Sequence, residues 1–291
     1  MSLDDEVIAR QFSRAAVTYD DHAELQRKVG ERLMDRLEGI RFEPEAILDL
    51  GCGTGVKTQA LHARFPRARL IASDLSAAML EQARGRRGWW KKRFDLIQAN
   101  ARALPLADDS LDLVFCNLML QWCEHPDEVF ASLRRALRPG GLLLLSTFGL
   151  DTLRELRQSW AEVDSEPHVG RFTDAQKLGS ALTRAGFAEP VLDTDWLTTT
   201  YARPLDLLGE LKGLGATNAD RARSRGLMSP GRLRAALAAY DRFRQSDGRY
   251  PATWEVVYAS AWAPEHGQPL RHGQGEVASI PVSSLKIRRR S

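Results

Sequence analysis

A glycine-rich turn with an acidic residue in front of it is the first part of the sequence whose residue types could do chemistry. The stretch ILDLGCGTG holds three glycines in the spacing G-x-G-x-G, which are Gly51, Gly53 and Gly55, and Asp49 precedes them. A dinucleotide turn needs its third glycine at the place of Val56, and the longer glycine-to-lysine spacing of a P-loop is absent. Because Asp49 would repel a phosphate group, the turn favours a ligand that carries an ammonium group.

Two further polar positions come at the ends of apolar segments. Asp74 ends the stretch ARLIASD, and Asn100 ends FDLIQAN and is followed by Ala101. Asp74 can accept hydrogen bonds from both hydroxyls of a ribose, and Asn100 with the backbone N–H of Ala101 can bind an adenine edge. Alternatively, Asp74 caps the following helix and Asn100 is a turn residue. Together with Asp49, these positions predict S-adenosylmethionine, which has an amino group, a ribose and an adenine but no phosphate.

Alternating strands and helices are predicted to position these residues. From residue 46 to residue 148 the pattern is β-α-β-α-β-β-α-β, and two later apolar stretches, EPVLDTDWLTTTYA and TWEVVYASAWA, predict two more strands. Such a pattern indicates an α/β fold with a doubly wound, mostly parallel seven-stranded sheet. The glycines, Asp74, Asn100 and Asn117 all follow predicted strands, at the sheet edge where ligands bind near the switch in strand order.

The remaining segments are assigned around this sheet as parts of a single domain, residues 1–291. About 45 residues of helical pattern lie between the last two strands, and because this lobe has no strands of its own, we expect a cap. The tail, rich in Gly, Gln, His and Ser, is expected to be extended or mobile. The predicted segments are N-terminal helices (1–45), a cofactor-binding core (46–150), completing helices and a strand (151–203), the cap (204–250), the final strand (251–264) and the tail (265–291).

Composition is that of a soluble globular protein, with 43% hydrophobic and 27% charged residues. The longest apolar run, GLLLLSTF, is too short to span a bilayer, and the opening MSLDDEVIAR does not resemble a signal peptide. We therefore expect a cytoplasmic protein that does not act at a membrane. Basic and aromatic residues do not alternate as in nucleic-acid-binding modules, so no nucleic-acid partner is expected. Cys52, Cys116 and Cys123 have no metal-ligand spacing, and we expect packing roles and no metal.

Four stretches resemble the motifs of class I S-adenosylmethionine-dependent methyltransferases. They are LDLGCGTG, IASDLSAAML, NARALPLADDSLDLVFCNLMLQW and LRRALRPGGLLLLSTFG, and they cover about residues 45–150. The resemblance implies a Rossmann-like methyltransferase fold that binds S-adenosyl-L-methionine and releases S-adenosyl-L-homocysteine. Carried over by motif, the resemblance implies that the methionine end of the cofactor lies against Asp49, Gly51, Gly53 and Gly55, and that Asp74 binds its ribose. It also implies that the adenine lies beside Leu75 and Met79, with its edge at Asn100 and Ala101, and that Asn117 lies beneath the cofactor.

The flanking stretches resemble one subfamily, the malonyl-[acyl-carrier protein] O-methyltransferases of biotin synthesis. These stretches are FSRAAVTYDDHAELQRKVGERL, STFGLDTLRELRQSW, HVGRFTD and LKGLGATNA, which extend the resemblance from Phe12 to about Ala263. LKGLGATN is the most discriminating, because generic methyltransferases lack it. The resemblance implies methylation of the distal carboxylate of a malonyl thioester, on the acyl-carrier protein or on coenzyme A, as an early step of biotin synthesis.

The acceptor site is predicted to orient a group that is already ionised. No acid–base constellation is evident, and a carboxylate with an ordinary pKa near 4 needs no base. Tyr19, His168 and Arg171 are the candidates for orienting the acceptor or closing the site, and Trp122 and Phe148 for walling the pocket. Each has an alternative: Tyr19 could touch the methionine carboxylate or pack, His168 could be structural, and Arg171 could form an inter-lobe salt bridge.

Arginines in the inserted lobe could dock the acidic acyl-carrier protein, although a solvated helix face is an equal alternative. These arginines are Arg221, Arg223, Arg225, Arg232 and Arg234.

Three other functions are weighed against this one. The first is another small-molecule carboxylate methyltransferase, which LKGLGATN disfavours. The second is a methyltransferase-fold assembly factor or hydroxylase for respiratory complex I, whose members usually carry an organelle-targeting leader unlike the opening residues here. The third is a dinucleotide oxidoreductase, which Val56 and Asp49 disfavour.

Overall fold

Three helices precede the sheet, as the helical spacing of residues 5–40 predicts. The computed structural model describes residues 3–88, 92–170, 172–217, 229–265, 269–272 and 275–278. The first helices are α1 (Asp5–Ala15), α2 (Tyr19–His22) and α3 (Glu24–Asp35). The Asp4 carboxylate caps α1 by accepting hydrogen bonds from the next turn.

Among the described residues, seven strands form one sheet in the order β3-β2-β1-β4-β5-β7-β6. All neighbouring pairs are parallel except those of β7, which runs antiparallel to both β5 and β6. The predicted doubly wound α/β sheet is thereby confirmed. Strand order reverses between β1 and β4, the place where such sheets bind ligands. The strands are β1 (Ala46–Leu50), β2 (Arg69–Asp74), β3 (Asp95–Gln98), β4 (Leu111–Asn117), β5 (Leu137–Phe148), β6 (Ala188–Tyr201) and β7 (Tyr250–Trp262).

Helices cover both faces of the sheet because side chains alternate along each central strand. Ile47 and Phe115 enter one hydrophobic core together with α3 and α4, and their neighbours Leu48 and Cys116 enter the other with α6 and α8. Ser76 caps α5, with its hydroxyl accepting from the Met79 N–H at 3.3 Å. These helices are α4 (Val56–Arg64), α5 (Ala77–Arg86), α6 (Pro126–Ala136), α7 (Arg154–Ala161) and α8 (Ala175–Arg184).

The Gly-Gly pair of the sequence RPGG is typical of a turn, but in the structure these residues belong to the start of β5. The pairing of β5 with β4 shifts register between Leu111 and Leu113, which marks a bulge. Gly140 lies at φ +76° and donates to the Ala263 carbonyl at 2.9 Å, and Ala263 donates back to Gly141 at 2.8 Å. Pairing with the end of β7 therefore draws these glycines into the sheet.

Between β6 and β7 lie α9 (Pro204–Gly213) and α10 (Pro230–Tyr240), in the segment expected to form a cap. Part of the predicted tail has regular structure, since β8 (Pro269–His272) and β9 (Gly275–Ala278) pair antiparallel. None of the described helices is long and apolar enough to cross a membrane. The three cysteines are free thiols, and Cys52 and Cys116 are buried, as the packing interpretation predicts.

Candidate active site

A cavity opens at the carboxyl ends of β1, β2 and β4, beside the switch in strand order. Most of the residues predicted to bind the cofactor line this cavity, and α1, α2 and α3 close it with Asp5, Tyr19 and Gln26. The helices before the sheet therefore belong to the site. The predicted cofactor residues that line the cavity are Gly51, Gly53, Asp74, Leu75, Met79, Asn100, Ala101 and Asn117.

The three glycines of the turn have three different reasons to be glycine. All adopt positive φ, +71° at Gly51, +54° at Gly53 and +82° at Gly55. A Cβ on Gly51 would overlap the Met119 side chain, and one on Gly55 would lie 2.9 Å from the Ala83 Cβ. A Cβ on Gly53 would meet only open space, so a ligand can closely approach the backbone at this residue. Gly55 instead starts α4 and packs against α5.

Asp49 points away from the main cavity. Its carboxylate accepts a 2.5 Å hydrogen bond from the Thr58 hydroxyl in α4, and the residue is 2% exposed. Burial is the main cause that raises the pKa of Asp49 to about 7; the Thr58 bond lowers it and the charge of Asp74 raises it. Asp49 borders a smaller adjoining cavity that also touches Tyr19. The predicted contact with an ammonium group would be made from that side.

Asp74 joins the ends of β1 and β2. One carboxylate oxygen accepts from the Gly53 N–H at 2.9 Å and the other from the Ser76 N–H at 2.8 Å. Each oxygen keeps a lone pair for a further donor. Burial raises the pKa of Asp74, and the backbone hydrogen bonds counteract part of that effect. The capping role and the ligand role considered for Asp74 are therefore compatible.

Asn100 is held by α1, which the sequence did not indicate. Its amide donates to the Asp5 carboxylate at 2.8 Å, and its carbonyl accepts from the Arg102 N–H at 3.0 Å. The Arg102 guanidinium pairs with the same Asp5 carboxylate. The Asn100 side chain is thus fixed by partners on both sides. Among described residues the backbone N–H of Ala101 has no partner, and it remains available to an adenine edge.

A second unpredicted contact fastens α2 to the glycine turn. Asp20 accepts from the Thr54 hydroxyl at 2.7 Å and from the Arg86 guanidinium at 2.5 Å, and Arg86 also donates to the Thr54 carbonyl. This clamp places the adjacent Tyr19 over the cavity. Burial raises the pKa of Tyr19, and the charges of Asp74 and Asp20 raise it further, so the phenol stays protonated and can donate.

Asn117 lies at the end of β4, between the sheet and α3. Its carbonyl accepts from the Ser146 hydroxyl at 2.9 Å, and its amide donates to the Gln26 carbonyl at 3.1 Å. Two buried polar atoms of residues that line the cavity, Gln26 Oε1 and Ser73 Oγ, have no hydrogen-bond partner among the described residues. Unpaired buried polar atoms are unfavourable, which suits a site that a polar ligand completes.

An apolar cavity adjoins the first one. Trp122 and Phe148, predicted as pocket walls, line both cavities, and Gln26 and Gln121 lie at the same junction. We name the second space the acceptor cavity. Its other residues are Leu3, Leu153, Leu156, His168, Val169, Gly170, Phe172, Leu211, Leu214, Ala216, Thr217 and Trp254.

The LKGLGATN stretch forms one wall of the acceptor cavity. Leu211, Leu214, Ala216 and Thr217 of this stretch all line it. Gly215 has φ +69°, and a Cβ there would lie 2.9 Å from a carbonyl of α1, so the stretch packs tightly against the N-terminal helices. Asn218 lies outside the described residues.

His168 reaches the acceptor cavity in a fixed orientation. Its ring stacks on Trp160, with 3.8 Å between ring centroids, and its Nε2 lies 2.8 Å from an Asp164 carboxylate oxygen. Arg232 of α10 pairs with the other Asp164 oxygen. Burial alone would raise the pKa of Asp164, but hydrogen bonds from Arg232, Glu166 and His168 lower it to about 2. Asp164 therefore remains ionised at neutral pH and holds the imidazole.

The other predicted acceptor residues are placed as follows. Arg171 lies outside the described residues, as do Arg221, Arg223 and Arg225. Arg232 is engaged by Asp164 and Glu166, whereas the exposed Arg234 bonds, among the residues that the structure describes, to the Pro230 carbonyl of its own helix.

In the described part of the chain, one group of side chains has the spacing of metal ligands, namely Asp164, Glu166 and His168. Arg232 already pairs with both acids of this group, and His168 bonds to Asp164. The arrangement is therefore that of an ion-pair network.

Comparison with known proteins gives concordant results. Residues 48–145 match the model of a family described as a methyltransferase domain. A protein of Xylella fastidiosa (strain M23) named malonyl-[acyl-carrier protein] O-methyltransferase is 48% identical over 286 residues, covering 98% of this chain and 96% of that protein. A protein of Halorhodospira halophila with the same name is 45% identical over 290 residues, covering 99% of this chain and 98% of its own length.

Solved structures resemble the fold at low sequence identity. A putative methyltransferase from Bacillus halodurans has a TM-score of 0.57 and 18% identity, covering 81% of this chain and 98% of its own. A Haemonchus contortus phosphoethanolamine N-methyltransferase, solved with S-adenosylhomocysteine and phosphomonomethylethanolamine, has a TM-score of 0.52 and 16% identity and covers 81% of this chain and 52% of its own.

Proposed function

Because the chain belongs to the malonyl-[acyl-carrier protein] O-methyltransferase family, we propose that it methylates the free carboxylate of a malonyl thioester with S-adenosylmethionine, as an early step of biotin synthesis. The observation that carries the proposal is the position of LKGLGAT. This stretch walls an apolar cavity that opens directly onto the cofactor cavity. The part of the sequence that distinguishes the subfamily is therefore also the part that meets the acceptor.

The cofactor cavity fits S-adenosylmethionine, whose sulfonium supplies the methyl group. Asp74 offers two carboxylate oxygens to the ribose, and Leu75 and Met79 give the adenine apolar contact. Two buried acidic residues, Asp49 and Asp74, make the site unsuited to a phosphate. The open approach at Gly53 and the unpaired acceptor of Gln26 suit the methionine end.

The chain's own contribution to the reaction is to bind and orient. A malonyl carboxylate is ionised at neutral pH, so no residue has to remove a proton. In the apolar acceptor cavity it loses water and needs hydrogen-bond donors. The protonated Tyr19 hydroxyl is the donor we assign to this task; His168, whose Nε2 is held by Asp164, can donate from Nδ1 only as the imidazolium, and Arg171 remains a prediction from the sequence. The Tyr19 hydroxyl would place the carboxylate at the junction of the two cavities, in line with the methyl group.

The segment 204–250 is proposed as a cap over the acceptor cavity, because Leu211 and Leu214 line that cavity and Arg232 contacts the network that holds His168. Docking of the acyl-carrier protein on the arginines of this segment also remains a proposal. Arg232 is an unfavourable contributor, since Asp164 and Glu166 already pair with it. The cytoplasmic location is likewise a prediction from the sequence.

The proposal is tested by methyl transfer from labelled S-adenosylmethionine. Malonyl-acyl-carrier protein, malonyl-coenzyme A and free malonate are offered separately, with acetyl-acyl-carrier protein as the matched acceptor that lacks a free carboxylate. We expect a base-labile methyl ester on a malonyl thioester and no label on the acetyl form. Label on free acids alone would instead support another small-molecule carboxylate methyltransferase. Cofactor binding without transfer to any carboxylate would support the assembly-factor alternative.

A further inference from the structure

A groove runs from the acceptor cavity to the surface between α6 and α8. The two spaces share Leu3, Gln121 and Phe172 as lining residues. Phe172 packs edge-on against Phe148, which walls the cofactor cavity as well, with 5.6 Å between ring centroids. A chain lying in the groove would therefore point its inner end at the place where the proposed methyl transfer occurs.

One face of α8 supplies the floor of the groove. Gln176, Ser180 and Arg184 are exposed and four residues apart, so they form one stripe along the helix, while Leu178 and Leu182 are buried in the core on another face. The stripe offers amide, hydroxyl and guanidinium groups. Such a lining suits a ligand with amide groups along its length.

The inner end of the groove is polar as well. The Thr147 hydroxyl donates to the Gln121 carbonyl oxygen at 3.3 Å, and Gln121 donates to the Leu118 carbonyl at 2.7 Å. From Ala175 to Arg184 the helix rises roughly 14 Å, at about 1.5 Å per residue. The groove is thus a passage of mixed character, lined by these polar groups and by apolar side chains such as Leu120 and Pro126, with Phe172 at its inner end.

Two cationic side chains of α8 line the groove. Lys177 pairs with Asp174 at 3.2 Å and Arg184 with Asp127 at 2.8 Å, and their side chains are 79% and 61% exposed. Exposed ion pairs of this kind contribute little to stability, because water screens them. Either cation can therefore exchange its carboxylate partner for a phosphate.

We propose that this groove binds the phosphopantetheine arm of malonyl-acyl-carrier protein, with the thioester beside Gln121 and Phe172, the middle of the arm passing Lys177 and Ser180, and the phosphate at Arg184. The inference rests on the proposed function. The arm contains two amide groups and a phosphate, and from sulfur to phosphorus it is as long as about four to five extended residues, roughly 16 Å. The carrier protein is favoured over coenzyme A, since among the described groove residues beyond Phe172 none has an aromatic ring for stacking an adenine.

The test compares two thioesters that differ in the length of the arm. Steady-state KM and kcat are measured with malonyl-acyl-carrier protein and with malonyl-N-acetylcysteamine, which keeps only the first amide. Ser180→Trp fills the middle of the groove, and Ser180→Ala is the matched control. In Ser180→Trp we expect the KM for malonyl-acyl-carrier protein to rise about tenfold or more, with the KM for the short thioester unchanged. Ser180→Ala removes the hydroxyl without filling the groove, so the KM for malonyl-acyl-carrier protein should rise much less than in Ser180→Trp.

Gln176→Trp provides a second obstruction at an exposed position, and cofactor binding with cooperative thermal unfolding shows that each variant is folded. An unchanged KM for malonyl-acyl-carrier protein in a folded tryptophan variant would overturn the proposal. An equal rise with both thioesters would do the same, because the groove would then act on the acceptor cavity and not on the arm. A rise with malonyl-coenzyme A alone would contradict the choice of the carrier protein. Failure of the proposed function is distinguishable, since the wild-type protein would then methylate neither thioester.

Discussion

Replacing Asp74 by Asn tests the cofactor site at its most constrained carboxylate. In the structure this group accepts from the Gly53 N–H at 2.9 Å and the Ser76 N–H at 2.8 Å. In the proposed complex it also accepts from two ribose hydroxyls. The amide of Asn has nearly the same shape but no charge, and its NH₂ group cannot accept from a backbone N–H.

The magnitude follows from the number of bonds involved. A hydrogen bond to a charged group contributes roughly 1.5–3 kcal/mol. Asp74→Ala removes both ribose bonds and should weaken cofactor binding by about 3–6 kcal/mol. Asp74→Asn keeps neutral bonds of about half the strength, so we expect a loss of about 1.5–3 kcal/mol, or roughly 10- to 150-fold in Kd.

Isothermal titration calorimetry with S-adenosylmethionine and S-adenosylhomocysteine measures this loss. Asp95→Asn is the matched control, because Asp95 is an exposed acid on β3 that pairs with Arg69 and Arg87 away from the cavity. A 2′-deoxyribose analogue of the product should bind less tightly to the wild type, and Asp74→Asn should cost it only about half as much free energy as it costs the full product, because the 3′-hydroxyl bond remains. A folded Asp74→Asn protein with a Kd within about twofold of wild type would refute the ribose role.

The pH dependence gives an independent check on the same residue. Burial raises the pKa of Asp74, and the ribose bonds need the ionised carboxylate. The affinity of the wild type should therefore fall as the pH drops through that raised pKa. In Asp74→Asn this component of the pH dependence should be absent.

Three other perturbations have defined outcomes. Gly51→Ala should lower the free energy of unfolding by about 1–3 kcal/mol in thermal denaturation, because φ is +71° and the added methyl would overlap a neighbouring side chain. Gly39→Ala is the control, since Gly39 has a similar φ of +82° but open space around it. It should lower the free energy of unfolding by about 1 kcal/mol, which is the cost of the left-handed backbone alone. The pKa of Asp49 is about 7 in the folded state against an ordinary 3.8, so the folded state binds more protons than the unfolded state between these values. The free energy of unfolding of the ligand-free protein should therefore fall by up to ~3 kcal/mol as the pH rises from 5 to 8, with a matching fall in melting temperature, and Asp49→Asn should abolish this trend. Asp164→Asn should raise the KM for the malonyl thioester by about tenfold with the cofactor Kd unchanged, because His168 loses the charged partner that orients it; an altered cofactor Kd with an unchanged KM would contradict that role.

Local patterns made the sheet and the turn predictable. Strand ends, the Ser76 cap and the glycine turn each depend on a few consecutive residues whose backbone requirements are recognisable. The start of β5 was not predictable in this way. A Gly-Gly pair is typical of a turn, and only its pairing with Ala263, more than a hundred residues later, makes it a bulge.

The features of the site that the sequence did not indicate are contacts between segments far apart along the chain. Asp5 reaches Asn100, Asp20 reaches Arg86, and Arg232 reaches Asp164. Each pair joins exposed-looking polar residues, and none belongs to a hydrophobic period or a recognised motif. Arg232 was grouped with surface arginines for that reason, although the structure ties it to the residue that holds the His168 ring.

The direction of Asp49 likewise depends on packing. As the acidic residue before the glycine turn, it was expected to face an ammonium group at the methionine end. In the structure its carboxylate bonds to Thr58, one turn into α4, and it borders only the smaller cavity. The residue type was informative about the ligand's charge, but the side-chain direction follows from how α4 packs on β1.

The central claim is that the methyl group goes to the free carboxylate of the malonyl unit, and intact-protein mass spectrometry of the carrier tests it most directly. After incubation with S-adenosylmethionine and this protein, malonyl-acyl-carrier protein should gain the mass of one methylene group and lose it again in mild base, while acetyl-acyl-carrier protein stays unchanged. A carrier whose malonyl group keeps its mass, in the presence of enzyme shown by calorimetry to bind the cofactor, would contradict the account.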